Sequence, residues 1–256
     1  MTIARADTID GLVKGLAVLE SFDTERQRLN ATQAAQRAGL TRAAARRHLL
    51  TLAHLGYLET DGSHFWLSPK VLRFSGSYLA SSRLPRVLQP TLNRLAAQTQ
   101  ESFSAVVRDE AEVVIVARSG QLRLLAYGLQ LGARLPAHAT STGRVLLASL
   151  PSAEFEAWLE RHAAGGALPR LTPYTEVHPS AFRRTIRAVR RQDWCLAAEE
   201  HELGVQALAV PLRDMQGRTV AALNVVVPTG RLDAQRLQQA LWPALLDAAR
   251  ELRPLL

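Results

Sequence analysis

A chain of 256 residues with 47% hydrophobic content can build a globular core, as one large domain or two ordinary ones. Its formal charge is +8; two of its 31 basic residues, Lys14 and Lys70, are lysines and 29 are arginines, a bias that suits phosphate and base-edge partners. The lone Cys195 excludes an internal disulfide framework, and no apolar signal core or bilayer-length run is present, so a cytoplasmic protein without a membrane partner is expected.

The first periodic segment, Gly11 to Phe22, carries Val13, Leu16, Ala17 and Leu19 at helical spacing. Thr32 is the expected N-cap of a short helix over Gln33 to Ala38, and Gly39 can supply the left-handed residue that ends it. Thr41 then caps a third helix whose inner stripe is Ala45, Leu49 and Leu52. Arg42, Ala43 and Arg46 lie on its other side, toward the end that helix-turn-helix proteins place in the major groove. Six arginines and no acid fall between Arg26 and Tyr57. Arg42 and Arg46 suit guanine edges, whereas Arg28 and Arg47 suit phosphates. A helical hairpin with a solvated arginine face is the simpler alternative.

Tyr57 to Leu67 reads as two short strands turned at Asp61-Gly62, a wing whose tip carries Ser63 and His64. The DNA-facing set is therefore Arg28, Thr32, Thr41, Arg42, Ala43, Arg46, Arg47, Ser63 and His64. Phe65 and Trp66 are candidates for packing the wing onto the third helix. Val71 to Ser82 is expected to be helical and to stop before Pro85. This places a winged domain at 1–70, a linker helix at 71–84 and a second domain at 85–256.

The second segment starts with an amphipathic helix over Arg86 to Thr99. Strand-like runs follow at Ser102–Arg108, Glu112–Ala117 and Leu122–Gly128, then helices at Thr142–Leu150, Ala153–His162 and Ser180–Arg191. Val205–Arg213 and Arg218–Val227 form a hairpin pattern across Asp214-Met215-Gln216-Gly217, and Asp233 to Leu252 a helix kinked or restarted at Pro243. Helices about an antiparallel-dominated sheet make an α+β domain able to cup a small molecule.

Catalytic motifs are missing. There is no G-x-S-x-G elbow, P-loop or cysteine–histidine zinc spacing, and Val205 stands where a zinc-protease pattern beginning at His201-Glu202 would need its second histidine. No catalytic residue, metal or cofactor is assigned. The acidic turn Glu199-Glu200-His201-Glu202 reads as structural or a hinge, and Cys195 as a core residue.

The segments GLVKGLAVLESF, TRAAARRHLLTLAHLGYLETDG, LSPKVLRFSGSYL, GARLPAHATSTGRVLLASL, DWCLAAEEHELGVQALAVPL and AALNVVVPTGR match the IclR family of bacterial transcription regulators in order and spacing. RAAARR with LSPKVL and GARLPAHATSTGR is similar to the subgroup governing protocatechuate, p-hydroxybenzoate and β-ketoadipate catabolism. The resemblance implies a winged helix-turn-helix, a linker helix and a GAF-like effector domain. It also implies homodimers, often paired as dimers of dimers on operator DNA, and an activator that engages RNA polymerase; repressors responding to another organic acid are the alternative within the family. A small-molecule enzyme or binding module with a basic N-terminus is the alternative of another class.

The effector site then begins at Gly132 to Pro136 and runs into Ala139 to Gly143. Free N–H groups and the positive end of the helix dipole there favour a carboxylate, with Thr140, Ser141, Thr142 and Gly143 as the cradle. The bland reading of this segment is a capped structural helix. Arg134 either pairs with the carboxylate or is solvated; His138 either faces the ligand or the surface. The family pattern also brings Ala198, Gln206, Ala207 and Asn224 toward the effector. Gln206 and Ala207 stand where arginine and serine are frequent in relatives, and Ala197 and Ala198 where some relatives carry acids. The smaller, less polar wall favours an aromatic ring over a small keto acid.

Overall fold

The computed structural model describes residues 4, 7–23, 25–119 and 129–256, so the strand-like run Leu122–Gly128 lies outside the described residues. Two compact units divide the chain, Met1–Ser81 and Ser82–Leu256.

The first unit contains α1 (Asp10–Leu19), α2 (Ala31–Ala38), α3 (Arg42–His54), the strands β1 (Leu58–Thr60) and β2 (Phe65–Leu67), and α4 (Leu72–Ser81). Thr41 caps α3, accepting from Ala44 N at 3.3 Å, and Gly39 ends α2 at φ 64°. The N-cap of α2 is Asn30, not Thr32. The Asn30 carboxamide accepts from Thr32 N and Gln33 N, both at 3.0 Å, while Gln33 reaches back to Asn30 N at 2.9 Å. That reciprocal box satisfies three backbone donors at once, which a threonine at the second helical position cannot do.

Val18, Phe22, Leu29, Ala34, Leu49, Leu58 and Phe65 form the core of this unit. The stripe expected on α1 is only partly used: Leu19 packs against the core, whereas Val13 and Leu16 stay 52% and 49% exposed, and the buried residue is Val18, outside that stripe. Leu29 exchanges both backbone bonds with Phe65, so the segment before α2 is stitched to the wing. Lys70 donates to Leu55 O at 2.6 Å and closes the C-terminal end of α3.

The second unit comprises α5 (Arg83–Thr99), β3 (Ser102–Asp109), β4 (Glu112–Ser119), β5 (Arg134–Pro136), α6 (Ser141–Ala148), α7 (Ser152–His162), α8 (Pro179–Gln192), β6 (Cys195–Ala198), β7 (Val205–Arg213), β8 (Thr219–Pro228) and α9 (Ala234–Leu252). Pro85 lies in the first turn of α5, where its missing N–H costs nothing, so that helix starts earlier than expected. α9 runs through Pro243 as one element.

The strands form one antiparallel sheet in the order β5-β4-β3-β8-β7-β6. One face packs on α5 and α9 through residues such as Phe103, Leu208, Leu223 and Leu245; the other packs on α6, α7 and α8 through Val106, Ile115, Trp158, Phe182 and Ala222. The architecture is the α+β, GAF-like arrangement that the resemblance implies. Its strands bury both faces, which is why their sequences are near-continuous apolar runs.

Candidate functional site

The basic face is built by α3. Ala45 and Leu49 turn inward, so Arg42, Ala43, Arg46 and Arg47 are left exposed on the opposite side. Among the described residues, the side chains of Arg42, Arg46 and Arg47 have no ion-pair or hydrogen-bond partner. Three forked cations thus remain available along two turns of one helix.

The wing is rigid at its tip. Asp61 Oδ1 accepts from Ser63 N at 2.9 Å, Ser63 Oγ at 2.9 Å and His64 N at 2.7 Å. These bonds hold the Asp61 carboxyl down at about 2, His64 N contributing most. Arg28 lies 4.1 Å over the Trp66 ring, so its guanidinium is placed against the wing rather than free. Phe65 is buried, while Trp66 Nε1 donates to Glu59 at 2.9 Å. Thr32 and Thr41 are exposed at the starts of α2 and α3.

In the second unit, a cavity partly open to solvent lies on the face of the sheet that carries α6. Val106, Ile115, Leu129, Leu135 and Val226 give it apolar walls; Thr140, Ser141 and Thr142 bring the start of α6 to it; Ser104 and Asn224 bring the sheet. Thr140 Oγ1 caps Gly143 N at 3.2 Å. The first N–H groups of a helix have no intrahelical partner, so those of Ser141 and Thr142 remain for an anion. Ser141 Oγ and Asn224 Oδ1 are buried without a hydrogen-bond partner among the described residues, and both residues line this cavity. Buried polar atoms are nearly always paired, so two orphans on one cavity mark it as the candidate ligand site.

Five of the expected effector residues lie off the cavity. Arg134 sits on the edge strand β5 and is taken by Asp109 at 2.7 Å and Glu112 at 2.6 Å. His138 is buried away from solvent and off the cavity lining, with Nε2 at 2.8 Å from Pro169 O, and its burial lowers its pKa. Gly143 contributes closeness rather than contact: a Cβ there would lie 2.2 Å from Ala137 O. Ala198 and Gln206 pair across β6 and β7 on the face shared with Leu196 and Leu208, where Gln206 donates to Leu232 O. Strand alternation explains this correction, since Ala197, Val205 and Ala207, one residue away, are the ones that line the cavity.

The cavity also gathers residues whose role the sequence reading missed or took as structural. Ser104 stands opposite Asn224 across β3 and β8. Glu199 to Glu202, the acidic turn after β6, forms one wall. Thr172 Oγ1 holds Glu199 O at 2.6 Å and Thr175 Oγ1 holds Glu200 O at 2.7 Å. Behind the wall, buried Arg144 makes a two-pronged ion pair with Glu200 and donates through Nε to His138 O at 2.8 Å. The only sequence signal for that pair was a charged residue on an otherwise apolar helix. Burial pushes the nearby Cys195 thiol up to about 11, so it is a packed, protonated core group.

Comparison with known proteins agrees with both halves of this geometry. The profile of the IclR helix-turn-helix domain matches residues 11–62, and that of the bacterial transcriptional regulator IclR C-terminal domain matches residues 76–253. The chain is 53% identical to the p-hydroxybenzoate hydroxylase transcriptional activator of Acinetobacter baylyi, over 99% of this chain and 94% of that protein. It is 50% identical to the Pca operon regulatory protein of the same organism, over 99% of this chain and 91% of that protein. A crystal structure of a double mutant of the PobR transcription factor inducer-binding domain from Acinetobacter, in complex with 3-hydroxybenzoic acid, is 49% identical, with TM-score 0.63 over 67% of this chain and 98% of that one. With matched family profiles covering both the exposed arginine helix and the sheet that carries the cavity, the chain belongs to the IclR family of DNA-binding bacterial transcriptional regulators.

Proposed function

We propose that this regulator activates genes of aromatic-acid catabolism in response to a small carboxylate of the hydroxybenzoate class. The observation that carries the reading is the convergence of Ser141 Oγ and Asn224 Oδ1, both buried and unpartnered among the described residues, on one apolar cavity at the start of α6. The carboxylate sits at the Ser141 and Thr142 N–H groups with Thr140 beside it, and the ring lies between Val106, Ile115 and Val226. The relatives named for p-hydroxybenzoate hydroxylase activation and for the pca operon support that class. Family membership removes the enzyme alternative; a repressor remains the second reading.

Arg42, Ala43 and Arg46 read base edges, Thr32, Thr41, Arg28 and Arg47 hold the backbone, and Ser63 and His64 touch DNA from the wing. The functional division is a winged domain at 1–70, a linker helix at 71–84 and an effector domain at 85–256. The protein works in the cytoplasm as a homodimer or dimer of dimers and, as an activator, contacts RNA polymerase. The exposed apolar side chains Leu12, Val13 and Leu16 on α1 and Leu72 and Tyr78 on α4 support self-association. No helix among the described residues is long and apolar enough to cross a membrane.

A thermal-shift panel of hydroxybenzoates, benzoate, quinate and short dicarboxylates tests the effector. A ligand at about 100 times its Kd stabilises by about 2.7 kcal/mol, expected to raise the melting temperature by roughly 5–10 °C. The shift should come from a hydroxybenzoate and shrink in Asn224→Ala and Ser141→Ala. No shift with any aromatic acid would remove the proposed class.

On the DNA side, Arg46→Ala should weaken specific operator binding by roughly 5- to 150-fold, the worth of about 1–3 kcal/mol for one bidentate base contact. Arg47→Ala should weaken all sequences alike and flatten the salt dependence. Gel-shift titrations at several salt concentrations separate the two. Unchanged specific binding by Arg46→Ala would show that α3 does not read the operator.

A further inference from the structure

Three buried side-chain atoms lack a hydrogen-bond partner among the described residues: Ser141 Oγ, Asn224 Oδ1 and His201 Nδ1. All three residues line the same cavity. His201 is carried by the acidic turn, whose backbone is pinned through Glu199 O and Glu200 O by Thr172 and Thr175 and whose Glu200 is clamped by Arg144. The backbone that carries the imidazole is therefore held in place before any ligand arrives. Leaving a buried ring nitrogen unpaired is unfavourable, and a ligand group that pairs with it gains specificity. Burial also lowers the pKa of this ring, so near pH 7 it is a neutral hydrogen-bonding group rather than a counter-ion.

The charges around the cavity point the same way. None of the described residues lining it is a lysine or arginine, while Glu199, Glu200 and Glu202 do line it. Glu200 is neutralised by Arg144, and Glu199 accepts from Gly204 N at 2.9 Å. The helix end offers about half a positive charge and accommodates one carboxylate. A second carboxylate would be buried beside acids without a cation.

Building on the hydroxybenzoate-class reading above, we propose that His201 binds the neutral hydroxyl of a monocarboxylate effector and that this wall rejects dicarboxylates. The two discriminations come from one turn: a hydrogen-bonding ring selects for the hydroxyl, and the surrounding acids select against a second anion.

Isothermal titration of the full-length protein with 4-hydroxybenzoate, 3-hydroxybenzoate, benzoate and hexanedioate tests this. Wild type should bind one hydroxybenzoate about tenfold more tightly than benzoate, the worth of one hydrogen bond at about 1.4 kcal/mol per decade. Hexanedioate should bind at least about a hundredfold more weakly than that hydroxybenzoate. His201→Ala should bring the hydroxybenzoate preference below about threefold with benzoate affinity little changed, and His201→Asn, which keeps a polar atom near the Nδ1 position, should restore part of it. Should His201→Ala not fold, His201→Leu carries the same comparison. A preference that survives loss of the ring overturns the His201 assignment while the effector class stands. Hexanedioate binding as tightly as hydroxybenzoate overturns the charge selection. If wild type binds neither benzoate nor any hydroxybenzoate, the effector class itself fails, and the role of His201 with it.

Discussion

Glu200→Ala is expected to destabilise the effector domain by about 3–5 kcal/mol, the cost of leaving one member of a buried ion pair alone. Arg144 is 3% exposed, and without Glu200 its guanidinium keeps His138 O and the weakly accepting Cys195 sulfur but no anion to balance its charge among the described residues. The wall suffers as well. Glu200 accepts from Glu176 N at 3.0 Å, so its removal cuts one of the ties between the acidic turn and the segment before α8. Effector affinity should fall along with stability, because the turn that carries His201 loses its clamp. Chemical denaturation of the wild type, both single variants and the Arg144→Met/Glu200→Ala double variant measures the coupling. The double variant should lose clearly less than the sum of the singles, since removing both charges together leaves no unpaired ion. Additive losses, or a Glu200→Ala loss below about 1 kcal/mol, would mean that the pair behaves as an exposed one.

Gly143→Ala sets two effects of opposite sign against each other. Helix propensity alone favours alanine by about 1 kcal/mol, since Gly143 lies within α6. Sterics oppose it: the added Cβ would sit 2.2 Å from Ala137 O, 2.3 Å from Ala137 Cα and 2.6 Å from Ala137 C. All three atoms are backbone, so no rotamer change relieves the contact, and the short turn over Ala137–Ala139 must move away from the helix. Overpacking of this kind costs about 1–3 kcal/mol or more, so the net result is a loss. The moved turn leads directly into Thr140, Ser141 and Thr142, and effector binding should weaken more than the melting temperature suggests. Thermal melting with and without 4-hydroxybenzoate checks both parts. An alanine variant that melts at or above wild type, with its ligand shift intact, would show that the helix and the turn do not meet at this distance.

Both variants act on the junction between α6 and its neighbours, and that junction divides what could be read early from what could not. The winged domain was legible because its signals are local. Thr41 before a basic helix, Gly39 after a short one and Asp61-Gly62 between two apolar runs each act within a few residues. The cap at Asn30 was missed because Thr32 offers the same chemistry two positions later, and the reciprocal bond from Gln33 decides between them. The β7–β8 hairpin and most helices of the second unit were legible from period and turn residues for the same reason.

The cavity mixed both kinds of information. Ser141, Thr142 and Asn224 were readable because a helix N-terminus and a polar residue in an apolar strand are visible in one dimension. Ala198 and Gln206 were misplaced by one residue because an apolar run buried on both faces carries no alternation to set its phase. Arg134 and His138 were ambiguous until Asp109, Glu112 and Pro169, which are 22 or more residues away, were seen to take their polar atoms.

By itself, then, the amino-acid sequence determined the α+β architecture, the basic helix and wing, the family and the helix end that lines the cavity. Those features depend on spacing, caps and composition, which act along the chain. Tertiary structure alone decided which face of β6 and β7 lines the cavity, that Arg144 and Glu200 brace its wall, and that His201 Nδ1, unpaired among the described residues, shares that cavity with Ser141 and Asn224. These placements join residues 23 to 83 positions apart, from His201 with Asn224 to Ser141 with Asn224 on one cavity, and only the packing of α6 against the sheet brings them together.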